Sequence, residues 1–270
     1  MDGTEWKIGS FELHVLVLAA QVNGIAIPVY FKVYEHKGVL SERERIDFIR
    51  KALIIIDLED KLLVADREFI GKEWLGSLIE MKVNFIIRLR KKMYQSYIEL
   101  SGYSYQKLEK KAFKKGYSQA VFEMGGQWYK IEMWKSTIQY EPIIYLITNI
   151  LHQKRIGKQY AKRWKIEYCF KHLKTNGFNL EDMSLTDIKK IRLMIALVIV
   201  AYIMAVREGI IQQKLQPVRI IKYINGDRLP AVSLFRNGLQ VISNQIISWI
   251  DFDRYLAVIK PKKYSIVQIV

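Results

Sequence analysis

Apolar residues fall in short blocks along this chain, and their period changes from block to block. Residues 13–21 (LHVLVLAAQ) are dense in Val and Leu. IAIPVYFKVYE follows after Asn23-Gly24, the residue pair a type I′ turn demands, so the pattern predicts a β-hairpin. Ser41 with Glu44 makes a capping box ahead of ERERIDFIRKALIIID, where Ile46, Ile49, Leu53 and Ile56 recur at helical spacing. KLLVADREF reads as a continuous apolar strand of the kind buried on both faces of a sheet, with its polar end beginning at Asp66. A short helix over residues 71–82 and a further apolar strand, VNFIIRLR, complete the order hairpin, helix, strand, helix, strand. That order predicts an α/β layer arrangement.

Between residues 91 and 142 the texture changes to short alternating stretches rich in Lys, Tyr and Gly, which predicts a small β-rich insertion. EPIIYLITNI then reads as a strand, residues 156–174 as one long helix, and residues 187–213 as a second, largely buried helix. Beyond residue 217 come Asn225-Gly226 and Pro230 turns, an amphipathic helix near residues 233–247 and a basic tail, PKKYS. The expected organisation is a discontinuous core of residues 1–90 and 143–213, an insertion at 91–142 and a tail segment at 214–270.

Composition narrows the class of partner. Half of the 270 residues are apolar, enough for a sizeable core, and 43 Lys and Arg against 27 Asp and Glu give a formal charge of +16. Such a charge points to a polyanion, nucleic acid ahead of a membrane surface. The longest apolar run, residues 193–206, stops at Arg207, short of the roughly 18 to 20 residues that span a bilayer. A single cysteine, Cys169, leaves no internal disulfide and suits a reducing cytosol, and the N-terminus shows no secretory signal. Four scattered histidines, with only His172 near Cys169, do not make a zinc site.

The chemistry concentrates in YAKRWKIEYCFKHLK. At about 100° per residue, Tyr160, Arg163, Glu167 and Lys174 share a stripe roughly 60° wide, beside an apolar seam of Ile166, Phe170 and Leu173. A solvated basic face with one Arg163–Glu167 pair, worth roughly a few tenths of a kcal/mol, is the plainer account. Two further acids shift the balance: Asp66 ends a strand, where functional groups of α/β sheets gather, and Asp2 begins one. Three carboxylates so placed can hold Mg²⁺, and two such ions activate a water or a 3′-hydroxyl while stabilising the leaving oxygen of a phosphodiester.

At these residues the chain resembles the DDE transposases of bacterial insertion sequences that carry a Tyr-Arg-Glu-Lys signature. Tyr160, Arg163, Glu167 and Lys174 match its spacing, LLVADREFIGKEW is similar to the segment around the second acid, DGTEWKIG to that around the first, and SLFRNGL at 233–239 to the C-terminal tail. The resemblance implies an RNase H-like mixed sheet flanked by helices, with a β-rich insertion before the last catalytic helix. It implies that Asp2, Asp66 and Glu167 are catalytic and hold Mg²⁺ (or Mn²⁺), as two ions. Tyr160, Arg163 and Lys174 would grip DNA phosphates, and Trp128 or Trp134 would stack on a flipped base. Arg67, Glu68, Arg88 and Arg90 would stand near the metal or line the same groove. The implied partners are transposon ends and target DNA, bound by a homodimer with no membrane, in the bacterial cytoplasm at the nucleoid.

Members of that family usually carry an N-terminal region that recognises the inverted repeats, then the first half of the central strand. Neither precedes Asp2 here, so the expectation is an N-terminally truncated transposase of doubtful activity. Two alternatives stay open: a non-catalytic DNA-binding remnant that interferes with the full-length enzyme, and an RNase H-like nuclease.

Overall fold

Asn23 and Gly24 take φ values of 50° and 78°, the left-handed pair of a type I′ turn, and the strands on either side pair antiparallel as that turn requires. These are the second and third strands of a three-stranded antiparallel sheet, β1 (Asp2–Ile8), β2 (Phe11–Val22) and β3 (Ile25–Tyr34), in that order. The register sets Asp2 opposite Val17 and Glu5 opposite His14. As the middle strand, β2 is buried on both faces from Leu13 to Leu18. The computed structural model describes residues 1–247 apart from 154, 176, 223–225 and 227. The PKKYS tail and Asn225 of the expected turn lie outside the described residues.

Helix α1 (Glu42–Leu53) opens on the capping box: Ser41 Oγ accepts the Glu44 N–H (3.3 Å), and the Glu44 carboxylate accepts the Ser41 N–H (2.9 Å). Ser41→Ala is expected to cost about 1 kcal/mol, seen as a lower urea midpoint. An unchanged midpoint would mean that the box adds nothing beyond the Glu44–His36 contact (3.0 Å). The helix stops at Leu53, short of the expected Ile56, and leaves Ile54 and Ile55 exposed.

A second sheet runs in the order β4 (Leu62–Ala65), β5 (Asn84–Leu89), β8 (Ile143–Thr148), β7 (Gln127–Lys135), β6 (Tyr117–Met124). The β4–β5 pair is parallel and the others antiparallel, so the sheet is mixed. The apolar run of β4 suggests burial on both faces, yet β4 is an end strand with Leu62 and Val64 only half-buried. Beyond that end, the Met1 ammonium donates to the Val64 carbonyl (2.7 Å).

Helices α2 (Lys72–Glu80), α3 (Gln95–Leu100) and α4 (Tyr105–Lys115) join α1 in the main core, where Trp74, Phe85, Ile87, Tyr105, Phe122 and Tyr129 are buried. Residues 91–142 therefore carry two helices as well as the β6–β7 hairpin, and that hairpin extends the sheet. Strand alternation turns Ile86 and Leu146 to the opposite face, where they pack with Ile156 and Tyr160.

The long helix expected at residues 156–174 is two helices, α5 (Gly157–Ala161) and α6 (Trp164–Lys174). Between them, the N–H groups of Lys162, Arg163, Lys165 and Ile166 each bond the carbonyl three residues back, a tightened turn that interrupts the α-helical ladder.

The chain divides into two compact units, Met1–His172 with Glu181–Thr186, and Leu173–Leu180 with Asp187–Val270. In the second, α7 (Ile188–Leu215), capped by Asp187, packs on α8 (Leu234–Ile247), with Tyr202 against Phe235 (ring centroids 5.2 Å). One face of α7, with Ile191, Ile195, Ile199 and Tyr202, is buried, while Leu193, Leu197 and Val200 are exposed. Its burial is therefore one-sided, less than the apolar run suggests. By length and composition α7 would also suffice to cross a membrane, and 39% of its most apolar stretch is buried. Pro230 ends the short β9 (Ile220–Lys222) and β10 (Arg228–Pro230) pair.

Candidate active site

Three acids far apart in sequence meet around one guanidinium. Asp2 opens β1, Asp66 follows the last residue of β4, Glu167 lies in the first turn of α6, and Arg163 occupies the tightened turn between α5 and α6. Arg163 Nη1 lies 2.9 Å from Asp2 Oδ2, and Nη2 lies 2.7 Å from Glu167 Oε1 and 3.8 Å from Asp66 Oδ2. Tyr160, at the end of α5, donates its hydroxyl to Asp66 Oδ1 (3.2 Å). Asp2 Oδ1 also accepts the Gly3 N–H (3.1 Å). Although the helix is broken, Tyr160, Arg163 and Glu167 still come together. Lys174 ends α6 half-buried, in the second compact unit.

The acids are graded in exposure: the side chain of Arg163 is 4% accessible, Asp2 11%, Asp66 27% and Glu167 41%. A charge as buried as Arg163's persists only when paired, and these carboxylates supply the pairing. Burial works against its cationic form, but Asp66, Tyr160, Asp2 and Glu167 outweigh it and raise its pKa. Burial pushes the Asp2 carboxyl up to about 6 despite the pull of Arg163 and the N-terminal ammonium. Burial likewise lowers the Met1 ammonium to about 6. Tyr160 is pushed up to about 12, by burial first and by Asp66 next, so its hydroxyl stays a donor.

Of the neighbours, Gly3 and His14 carry no assignment from the sequence pattern. His14 is buried on β2, and burial lowers its pKa. A Cβ on Gly3 would lie 2.4 Å from His14 Nε2 and 3.1 Å from Glu68 Oε1, so a larger residue beside Asp2 would have to displace the His14 ring. A glycine inside a strand marks such close approach, and that signal was available in DGTEWKI. Glu68 is a fourth carboxyl at this place, raised to about 7 by burial and then by the charges of Asp2 and Asp66. Arg88 pairs with Glu141 and also contacts Tyr160. Arg67 and Arg90 are exposed.

The segment leading into α5 is clamped from the sheet. Glu132 of β7, fully buried, accepts the N–H groups of Arg155 (3.1 Å) and Ile156 (3.0 Å) and the Trp134 indole N–H (3.0 Å). Lys130 lies 3.2 Å from Glu132 and donates to the Gln153 carbonyl. Trp134 packs on Tyr117 (4.8 Å between ring centroids) and faces Gly157. Trp128, just past the β6–β7 turn, is 53% exposed.

The donor set suits a hard divalent cation, three carboxylates around a centre of positive charge that the chain itself fills with Arg163. As arranged, no group of three His, Cys, Asp or Glu among the described residues is close enough to hold an ion directly.

The family described as transposase DDE domain matches residues 14–204, a span that contains Asp66, Tyr160, Arg163, Glu167 and Lys174 and begins after Asp2. No curated protein matches. Among solved structures, the piggyBac transposase synaptic complex with hairpin DNA aligns with a TM-score of 0.50 at 10% identity, over 96% of this chain and 52% of that one. The chain thus spans about half the length of that transposase, and shares its fold. With an α/β fold of that kind and a family match across most of its length, this chain belongs to the DDE transposase family.

Proposed function

We propose that the chain carries a metal-dependent phosphoryl-transfer centre that cleaves and joins DNA at insertion-sequence ends. The observation that supports this most is the convergence of Asp2, Asp66 and Glu167, residues from three separate elements, on one buried cation. In this reading the three carboxylates hold Mg²⁺ or Mn²⁺ ions, and divalent ions are what the family generally uses. Bound metal would polarise the phosphodiester and lower the pKa of an attacking water or 3′-hydroxyl.

The chain's own groups supply the rest. Tyr160 holds Asp66 by a hydroxyl that burial keeps protonated. Arg163 and Lys174 offer cationic donors to phosphate, and the +16 charge draws DNA ends and target toward a paired assembly of two copies. Trp128, exposed beside a tight turn, is the aromatic suited to stacking on an unpaired base, whereas Trp134 is committed to Glu132 and Tyr117.

The test is Mg²⁺-dependent nicking of a labelled inverted-repeat end. Glu167→Gln keeps the shape and removes the charge. Because a metal ion contributes several kcal/mol to such a transition state, and each ~1.4 kcal/mol is tenfold, the variant is expected to nick about 10³-fold more slowly. Equal nicking by both proteins would end the reading.

A further inference from the structure

The three carboxylates and Arg163 form one ionic cluster, with the Glu68 carboxyl and the Met1 ammonium beside it. The Asp2 and Glu167 oxygens lie 2.9 Å and 2.7 Å from the guanidinium, which leaves no room between them for an ion. Arg163 is held there by its burial, at 4% accessible, and by those two short ion pairs. The acids cannot be left bare: three converging carboxylates repel one another, and burying an unpaired charge is costly. A cation at this point offsets that repulsion.

We propose that Arg163 is a positioning residue that serves as an internal stand-in for the metal. It gathers Asp2, Asp66 and Glu167 while no ion is bound, and it is displaced when a divalent cation takes over the carboxylates. This rests on the metal-dependent reading above and adds to it a competition within the chain. The swap conserves charge at the acids, so they stay converged while the guanidinium is freed. The freed side chain keeps its fork of N–H donors, which suits a phosphate, so metal entry and DNA engagement share one group. Because the site is open to metal only in the fraction of molecules where Arg163 has moved, apparent metal affinity is reduced by that fraction.

Mg²⁺ titration by calorimetry, with no DNA present, tests this independently of activity. Arg163→Gln removes the competitor and is expected to bind Mg²⁺ about tenfold more tightly than wild type, within the range typical of coupled sites. The same variant should melt lower than wild type in EDTA and gain more in Tm from added Mg²⁺. Arg163→Lys keeps a charge but not the fork, and is expected to lie between the two; it carries the test if the glutamine variant does not fold. A residue that only held the fold would show the opposite sign, with metal binding weakened by both substitutions. Equal or weaker Mg²⁺ binding by the variants, with wild type binding normally, overturns the stand-in role and leaves the metal reading standing. Absence of Mg²⁺ binding in all three proteins overturns both.

Discussion

Glu132→Ala is expected to lower the unfolding free energy by about 3–5 kcal/mol, the range for breaking a buried ion pair from one side. Glu132 and Lys130 are both fully buried, and removal of the carboxylate strands the Lys130 ammonium beside an apolar sheet. It also orphans the N–H groups of Arg155 and Ile156 and the indole of Trp134. These losses separate in the double variant Lys130→Met, Glu132→Leu. That protein contains no unpaired charge, but its backbone donors remain unmet, each costing about 1–3 kcal/mol. Urea denaturation should therefore place it between Glu132→Ala and wild type. A Glu132→Ala midpoint like that of wild type would show that the clamp carries no weight. Because the clamped segment leads into α5, the Tyr160 bond to Asp66 depends on it, and nicking should fall with stability.

The second large effect is expected where α7 and α8 cross. A Cβ built on Gly238 would lie 1.8 Å from the Ala205 carbonyl oxygen, and one on Gly209 would lie 1.8 Å from that of Leu234. Two contributions compete when either becomes alanine. Helix propensity favours alanine by about 1 kcal/mol. Contact with a backbone atom cannot be relieved by rotating a side chain, so the helices must separate, and overpacking of this kind costs about 1–3 kcal/mol or more. The clash should win, with Gly238→Ala unfolding at lower urea than wild type. Gly76 in α2 is the control, since nothing lies within 4 Å of a Cβ there; Gly76→Ala should stabilise by about 1 kcal/mol. Were Gly238→Ala to behave like Gly76→Ala, the close crossing would be excluded.

Local signals in the sequence are decisive where a few adjacent residues set the geometry. Asn23-Gly24 and the Ser41–Glu44 box are of this kind, because their conformations follow from φ preference and from one side-chain bond. Of the two helices of residues 91–142, α4 was legible in principle: Ser104 caps a run with Tyr105, Leu108 and Ala112 on one buried face, and Gly116 ends it at φ 82°. The Lys- and Tyr-rich texture masks that spacing. The break at Arg163 could not be read, because the stripe of Tyr160, Arg163, Glu167 and Lys174 continues at helical spacing across it. Burial of β4 was overread for a different reason, since an apolar run does not tell an inner strand from an end strand.

At the site, residue type and position pointed to Asp2, Asp66, Glu167, Tyr160 and Arg163, and the fold brings these five together. Distance was beyond reach: periodicity put Arg163 on the same stripe as Glu167 but could not show that it also reaches Asp2 across 161 positions. Gly3 and His14 escaped notice because their contact is made between strands.

The sharing of Arg163 among three acids also bears on how this gene would age. A guanidinium with three carboxylate partners remains neutralised when one is lost, so a drifting copy could lose Glu167, the most exposed of them, with little harm to folding. Purifying selection that acts through misfolding would not see such a change. If the centre works as proposed, catalytic competence and foldedness would then be lost separately.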